Sequence, residues 1–228
     1  MLGFASSFFI FNECYICGKK IKEDLKEKKK ENERYKKYIC NICYKKLEKY
    51  SYKNVFYDVN KVNYIFMFSY ENYIRKLILK YKFFDKSYLG NVFTEFIIRN
   101  KKICKKLESY DIIIPVPMSK NSKRKRGYNQ TEIISKKIAK FIGLNYKNNL
   151  LIKVKDIKRQ STLNKIERQK NVINAFCINE KYKKCLVNYK KVILFDDVYT
   201  TGATVNECLK LLLEFGVEEI LVLILAKD

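Results

Sequence analysis

The chain has 228 residues, of which 47% are hydrophobic, and this is enough for one substantial α/β core with a small appendage. It contains no histidine, which excludes Ser-His-Asp and Cys-His catalysis and any zinc site that needs a histidine ligand. The formal net charge of +24 favours polyanionic partners such as nucleic acid. Most of that charge is lysine in a chain rich in Asn, Ile and Tyr, which indicates codon bias, so a merely solvated surface is an equal alternative.

Two Cys-x-x-Cys pairs near the N-terminus predict a metal site. Cys14 and Cys17 are separated by 22 residues from Cys40 and Cys43. Two such turns facing each other provide the four-sulfur cage that Zn²⁺ favours. The intervening stretch Lys19–Lys37 is mostly lysine and glutamate and predicts a solvated helix or arm. Coincidental cysteines or a redox pair are the alternatives to a small zinc-ribbon module held together by structural Zn²⁺.

The opening residues, Met1–Phe11, contain an apolar patch without the basic segment or cleavage site of a signal peptide. No apolar run approaches the roughly 18 residues of a membrane span. We therefore expect a cytoplasmic protein with reduced thiols and no membrane span, in which these residues form a short packing segment.

Alternating helices and strands are predicted in the middle of the chain. Apolar residues recur at helical spacing in two stretches, and a β-branched run before a proline indicates a buried strand. The predicted elements are helices over Glu71–Lys82 and Tyr88–Arg99, a strand over Asp111–Ile114, a basic loop over Ser119–Arg126, and a helix over Thr131–Ile142 that Gly143 ends.

The C-terminal part reads as strand, loop, helix and strand. Residues 144–190 look irregular, with short strand candidates at Leu150–Val154 and Asn174–Ile178. The final elements are a strand over Val192–Phe195, a loop over Asp196–Thr204, a helix over Val205–Phe215 that Gly216 ends, and a strand over Ile220–Ala226. Apolar strands that bracket helices predict an α/β fold with a mostly parallel sheet flanked by helices.

The loop after the strand Val192–Phe195 contains the residues that indicate a ligand-binding site. Asp196 and Asp197 end a buried strand, and ligands of open α/β sheets bind at the carboxyl ends of strands. The turn that follows, Thr200–Thr204, opens a helix with backbone amides and hydroxyls that suit a phosphate. Adjacent carboxylates suit sugar hydroxyls and a bound Mg²⁺. The pattern predicts a ribose 5-phosphate site; an Asp-Asp pair before an ordinary helix cap is the alternative.

These stretches carry a family resemblance. Val192–Thr204 resembles the phosphoribosyl pyrophosphate (PRPP) motif of type I phosphoribosyltransferases. Together with Arg126-Gly127-Tyr128-Asn129-Gln130 and the two cysteine pairs, the chain resembles the ComF/ComFC family of competence-associated, phosphoribosyltransferase-like proteins. The resemblance covers nearly the whole chain. It implies a type I phosphoribosyltransferase-like domain over residues 56–228 after a zinc-binding module over residues 1–55.

The resemblance also implies roles for particular residues. Asp196 and Asp197 would be the catalytic pair that holds the ribose hydroxyls, and a mobile hood would close over the ligand. The PRPP-binding residues would be Thr200, Thr201, Gly202, Ala203 and Thr204 for the 5-phosphate; Val116, Pro117, Met118, Ser119 and Lys120 for the pyrophosphate; and Arg124, Arg126 and Lys82. The hood would include Lys155, Arg159, Gln160 and Arg168.

Three functions are compatible with these features. The first is Mg²⁺-dependent transfer of ribose 5-phosphate from PRPP, with release of pyrophosphate, in a protein that serves natural competence and handles incoming single-stranded DNA. The second is a catalytically silent PRPP sensor that binds single-stranded DNA or a competence helicase. The third is nucleobase salvage, for which no base-reading sequence is identifiable.

Overall fold

The computed structural model describes residues 13–14, 16–21, 39–52, 56–59, 62–155 and 172–228. The chain divides into two compact units, Met1–Lys49 and Tyr50–Asp228. Two predictions lie outside the described residues, wholly or for the most part: the packing segment Met1–Phe11 and the arm Lys19–Lys37. The hood residues Arg159, Gln160 and Arg168 lie outside them as well.

The second unit is built on a six-stranded sheet. The strand order is β1-β2-β8-β7-β3-β4, in which β1 and β2 are antiparallel and the other neighbours are parallel. A separate antiparallel pair is formed by β5 and β6. The strands are β1 (Phe56–Val59), β2 (Val62–Ser69), β3 (Ile112–Pro115), β4 (Asn145–Tyr146), β5 (Leu151–Lys153), β6 (Phe176–Ile178), β7 (Lys191–Tyr199) and β8 (Glu219–Lys227).

Helices connect most of these strands. The first unit contains α1 (Asn41–Lys49). In the second unit, a 3₁₀ turn over Ser87–Leu89 directly precedes the helix that begins at Gly90. The helices of this unit are α2 (Asn72–Phe83), α3 (Gly90–Arg99), α4 (Lys101–Leu107), α5 (Lys120–Arg126), α6 (Gln130–Ile142), α7 (Glu180–Leu186) and α8 (Ala203–Glu214).

The central strands are buried on both faces, as expected for parallel strands between helices. Ile220–Ala226 of β8 is buried without interruption. Alternate residues of β7 and β8, such as Leu194 and Val222, share one core with Cys208 and Leu212 of α8. The predicted mostly parallel sheet flanked by helices is confirmed.

The predicted basic loop Ser119–Arg126 is wrong, because these residues form α5. Ser119 caps the helix by accepting a hydrogen bond from the Ser122 backbone N–H at 3.2 Å. The lysines and arginines that suggested a loop are also good helix formers. Gly127, with φ of +81°, ends the helix in the left-handed conformation that glycine adopts most easily.

Two further differences from the prediction concern the strand that contains the acidic pair and the stretch 144–190. The strand predicted over Val192–Phe195 continues to Tyr199, because Asp196–Tyr199 stays in parallel register with Ile224–Lys227 of β8. The predicted loop therefore begins four residues later. The stretch 144–190 contains both predicted short strands, but also α7, which Asn179 caps by accepting from the Lys181 N–H at 3.1 Å.

Candidate functional site

Parallel pairing brings two predicted binding turns to one edge of the sheet. Pro115 at the end of β3 is in register with Phe195 of β7, and the Val116 N–H donates to the Phe195 carbonyl at 2.9 Å. The turn after β3, Val116–Ser119, therefore leaves the sheet beside the position where Asp196 follows in β7. The carboxyl edge of this sheet is the usual location of ligands in α/β proteins.

Lys82, on α2, reaches the acidic pair from outside the sheet. Its Nζ lies 2.7 Å from Oδ1 of Asp197, and the two side chains are only 17% and 13% exposed. From helical periodicity alone, Lys82 would be a solvated residue at a helix end, and only the family resemblance selects it. The ion pair joins α2 to the carboxyl end of β7.

Asp196 has an environment that disfavours its charge. Burial, followed by the negative charge of Asp197, raises the pKa of Asp196 to about 7. The Asp197 N–H, which donates to Asp196 Oδ1 at 2.8 Å, and the charges of Lys82 and Lys153 oppose this increase. The pair thus combines one ion-paired carboxylate with one that titrates near neutrality. Sequence reasoning missed Lys153, because it lies in β5, within the stretch that looked irregular.

The turn between β7 and α8 requires glycine at its last position. Gly202 caps α8 with φ of +75°, and a Cβ at this position would lie 2.4 Å from the Tyr199 Oη. The Tyr199 ring cannot move away freely, since it packs edge-on against Phe66 at 5.5 Å. The Ala203 N–H donates to Thr201 Oγ1 at 3.4 Å. The turn presents amides at a helix N-terminus, which suits an anion.

The Arg-Gly-Tyr-Asn-Gln stretch has a structural role at this edge. Asn129 caps α6 and donates from Nδ2 to the Val116 carbonyl at 3.3 Å. Thr131 donates from Oγ1 to the same carbonyl at 2.8 Å. Tyr128 donates to the backbone carbonyl of Tyr81 on α2. The stretch therefore fixes the turn after β3 to α6 and joins α6 to the helix that carries Lys82.

The remaining predicted residues vary in exposure. Val116 and Ser119 are buried, Pro117 and Met118 are half-buried, and Lys120, Arg124 and Thr200 are exposed; Thr204 is half-buried at the first turn of α8. Arg126 contacts Gln130 and stacks on Phe83, with its Cζ 4.9 Å from the ring centroid. Lys155 is exposed and donates to the Ile173 carbonyl at 3.4 Å.

In the first unit, the four predicted metal ligands form a cluster. The Sγ atoms of Cys14, Cys17, Cys40 and Cys43 all lie within 4.8 Å of one another, and those of Cys17 and Cys40 are 3.9 Å apart. Tetrahedral Zn²⁺ with Zn–S bonds of about 2.3 Å separates its sulfurs by about 3.8 Å. Burial acts to raise the pKa of Cys14, but hydrogen bonds from backbone amides, that of Cys40 foremost, lower it to about 7, which favours the thiolate that metals bind. The cluster is compatible with structural zinc.

The structure defines a class: an α/β protein with an acidic pair at the carboxyl edge of a parallel sheet and an N-terminal four-cysteine cluster. No family model matches the chain. It is 34% identical over 154 residues to competence protein F of Haemophilus influenzae, covering 66% of each chain. It is 29% identical to competence protein ComFC of Streptococcus pneumoniae (68% of this chain, 63% of the relative) and 26% identical to DNA utilization protein YhgH of Salmonella typhimurium (61% of each).

The chain belongs to the ComF/ComFC family. The matches span about two thirds of the relatives' own lengths. Within the part of the chain that the structure describes, no helix is long and apolar enough to cross a membrane.

We predict that Gly202→Ala destabilises the protein more than Gly216→Ala. Both glycines have positive φ, +75° and +84°, so both substitutions incur a conformational cost of roughly 1 kcal/mol. Only Gly202 adds a collision with Tyr199, since nothing lies within 4 Å of a Cβ at Gly216. Urea unfolding of the two variants measures the difference, and equal losses would contradict the packing assigned to Tyr199.

We also predict that Asp196→Asn stabilises the protein in a pH-dependent way. Because the pKa of Asp196 is raised from 3.8 to about 7 on folding, the unfolded chain releases this proton first as pH rises. The stability that the protonated carboxyl contributes is therefore lost as the pH rises from 3.8 to about 7. Asparagine stays neutral and avoids that loss, so the gain in melting temperature should be larger at about pH 8 than at about pH 5. Asp228→Asn, at an exposed position, is the control, and a gain independent of pH would contradict the assignment.

Proposed function

We propose that this protein binds PRPP at the carboxyl edge of its sheet, transfers its ribose 5-phosphate to an acceptor and releases pyrophosphate. The observation that carries the proposal is the convergence of the acidic pair, Lys82 and two connecting turns on that edge. A phosphate cradle beside two diol-binding acids fits the two ends of a ribose 5-phosphate.

The acidic pair is suited to the ribose. Carboxylates accept hydrogen bonds from vicinal hydroxyls, and the ion pair with Lys82 fixes the position of Asp197. Asp196, with its pKa near 7, is able to carry a proton at neutral pH. The two carboxyl groups also fit Mg²⁺ as a hard cation, with the oxygens of PRPP completing its coordination. Bound Mg²⁺ would neutralise charge on the departing pyrophosphate.

The turns after β3 and β7 are suited to the pyrophosphate and the 5-phosphate of PRPP. Thr200–Thr204 would surround the 5-phosphate with amides and hydroxyls at the start of α8. Val116–Lys120 would contact the pyrophosphate, with Arg124 and Arg126 of α5 supplying positive charge as it departs. Lys155 and the hood residues would close over the ligand and exclude water. These roles stay predictions that the family resemblance supports.

We further propose that this activity serves DNA uptake or utilization. Two of the relatives are named competence proteins and the third a DNA utilization protein. The formal net charge of +24 supports a nucleic-acid partner. A competence helicase stays a predicted partner. In the first unit, we propose that the cysteine cluster holds one structural Zn²⁺, which stabilises a module with few apolar residues.

We predict that Asp196→Asn combined with Asp197→Asn abolishes PRPP binding while the protein stays folded. Both substitutions preserve side-chain size but remove the carboxylates that would hold the diol and Mg²⁺. Calorimetric titration with PRPP and Mg²⁺ measures the effect, and Glu214→Gln, an exposed acid at the end of α8, is the control. Unchanged binding by the double variant would refute the site.

A separate assay of pyrophosphate release distinguishes transfer from sensing. Release of pyrophosphate from PRPP in the presence of an acceptor supports a transferase. Stoichiometric binding without turnover, for every acceptor tried, favours the silent PRPP sensor instead.

We predict that one zinc ion co-purifies per chain and that Cys14→Ser with Cys40→Ser loses both the ion and solubility. Serine oxygen is a poor ligand for Zn²⁺ at a four-sulfur site, and metal binding supplies folding free energy to such modules. Metal analysis checks the ratio, with Cys104→Ser and Cys185→Ser, outside the cluster, as controls. A well-folded preparation without metal would overturn the assignment.

A further inference from the structure

Two neighbouring phenylalanines are exposed next to the candidate site. Phe83 ends α2 and is 56% exposed, and Phe84, directly after it, is 63% exposed. Phe83 directly follows Lys82, the residue that pairs with Asp197, in the chain. Contiguous exposed apolar side chains can mark an interaction surface.

Positive charge accompanies these rings. The guanidinium of Arg126 stacks on Phe83, with 4.9 Å between Cζ and the ring centroid. Arg126 is the last residue of α5, whose sequence Lys-Asn-Ser-Lys-Arg-Lys-Arg contains no acid. On this helix, an open cavity of about 450 Å³ is lined by Lys120, Lys123, Arg124 and Gly127. Lys123 pairs with Glu132 at 2.8 Å, whereas Arg124 and Lys125 are exposed to solvent.

We propose that Phe83, Phe84 and α5 form a track for single-stranded nucleic acid that leads to the acidic pair. Aromatic rings stack on unpaired bases, and a basic helix follows a phosphate backbone. A duplex would hide its bases from the rings, and an apolar protein partner would not match the charge of α5. The proposal rests on the proposed function for its biological setting, and it names the surface through which the DNA would be held.

The test measures binding of a fluorescent thymidine oligonucleotide, and of an abasic strand of equal length, by anisotropy. Phe83→Ala with Phe84→Ala should weaken binding of the thymidine strand by about tenfold or more, with much less effect on the abasic strand. Phe141→Ala, at a phenylalanine that is 51% exposed on α6, is the control for a generic exposed ring. Equal losses for both strands, or no loss, would overturn the track.

The charge contribution has a separate readout. Arg124→Gln with Lys125→Gln should reduce the slope of log affinity against log salt by about 0.7 per lost phosphate contact, whereas the ring substitutions should leave that slope unchanged. Lys101→Gln with Lys102→Gln, two exposed lysines on α4, is the matched control. An equal reduction in the control would assign binding to diffuse charge and contradict the track.

Misfolding and dimerisation each have a dedicated measurement. If the alanine variant does not fold, Phe83→Leu with Phe84→Leu keeps apolar bulk and should still lose affinity for the thymidine strand. Sedimentation before and after substitution tests whether the rings join two copies of the chain; dissociation of a dimer would overturn the proposal. Phe84→Ala should bind PRPP as the unaltered chain does, so failure of the track and failure of the PRPP site are distinguishable.

Discussion

The parallel register of β7 between β3 and β8 is the constraint on which the rest of the site depends. Pairing of Pro115 with Phe195 makes the two turns leave the sheet at the same edge, although 80 residues separate them in the chain. Pairing of Asp196 with Ile224 extends β7 past its apolar run and holds the acids in strand geometry. Strand geometry fixes the backbone of both acids and directs their side chains towards opposite faces of the sheet.

The electrostatics of that edge follow from its burial. Two adjacent carboxyl groups cannot both carry charge at low cost in a partly dehydrated position, so one is ion-paired and the other has a raised pKa. The arrangement costs stability as the pH rises from 3.8, the ordinary pKa of the group, to about 7, its raised pKa. Strained or destabilised groups at such positions are typical of binding sites, where a ligand compensates for the cost.

Much of the fold was predictable because its signals are local. Ile112–Ile114 and Ile220–Ala226 are apolar runs, and Gly143 ends its helix as expected, with φ of +86°. The helical state of α5 was not predictable from charge, because lysine is common both in loops and on exposed helices. In the candidate site, Asp196 and Asp197 were predictable because they follow a buried apolar run, but Lys153 was not, since its electrostatic effect on Asp196 depends on tertiary packing.

The Arg-Gly-Tyr-Asn-Gln stretch makes structural contacts on two sides of the candidate site. Asn129 of the stretch and Thr131, directly after it, donate to the Val116 carbonyl, and Tyr128 donates to the carbonyl of Tyr81, one residue before Lys82. These hydrogen bonds position both the turn after β3 and α2, the helix that carries Lys82. At the start of the same stretch, Arg126 stacks on Phe83, so the end of α5 contacts the end of α2. One short segment thus connects the sheet edge to the surface beside it, and substitutions within it should affect both together.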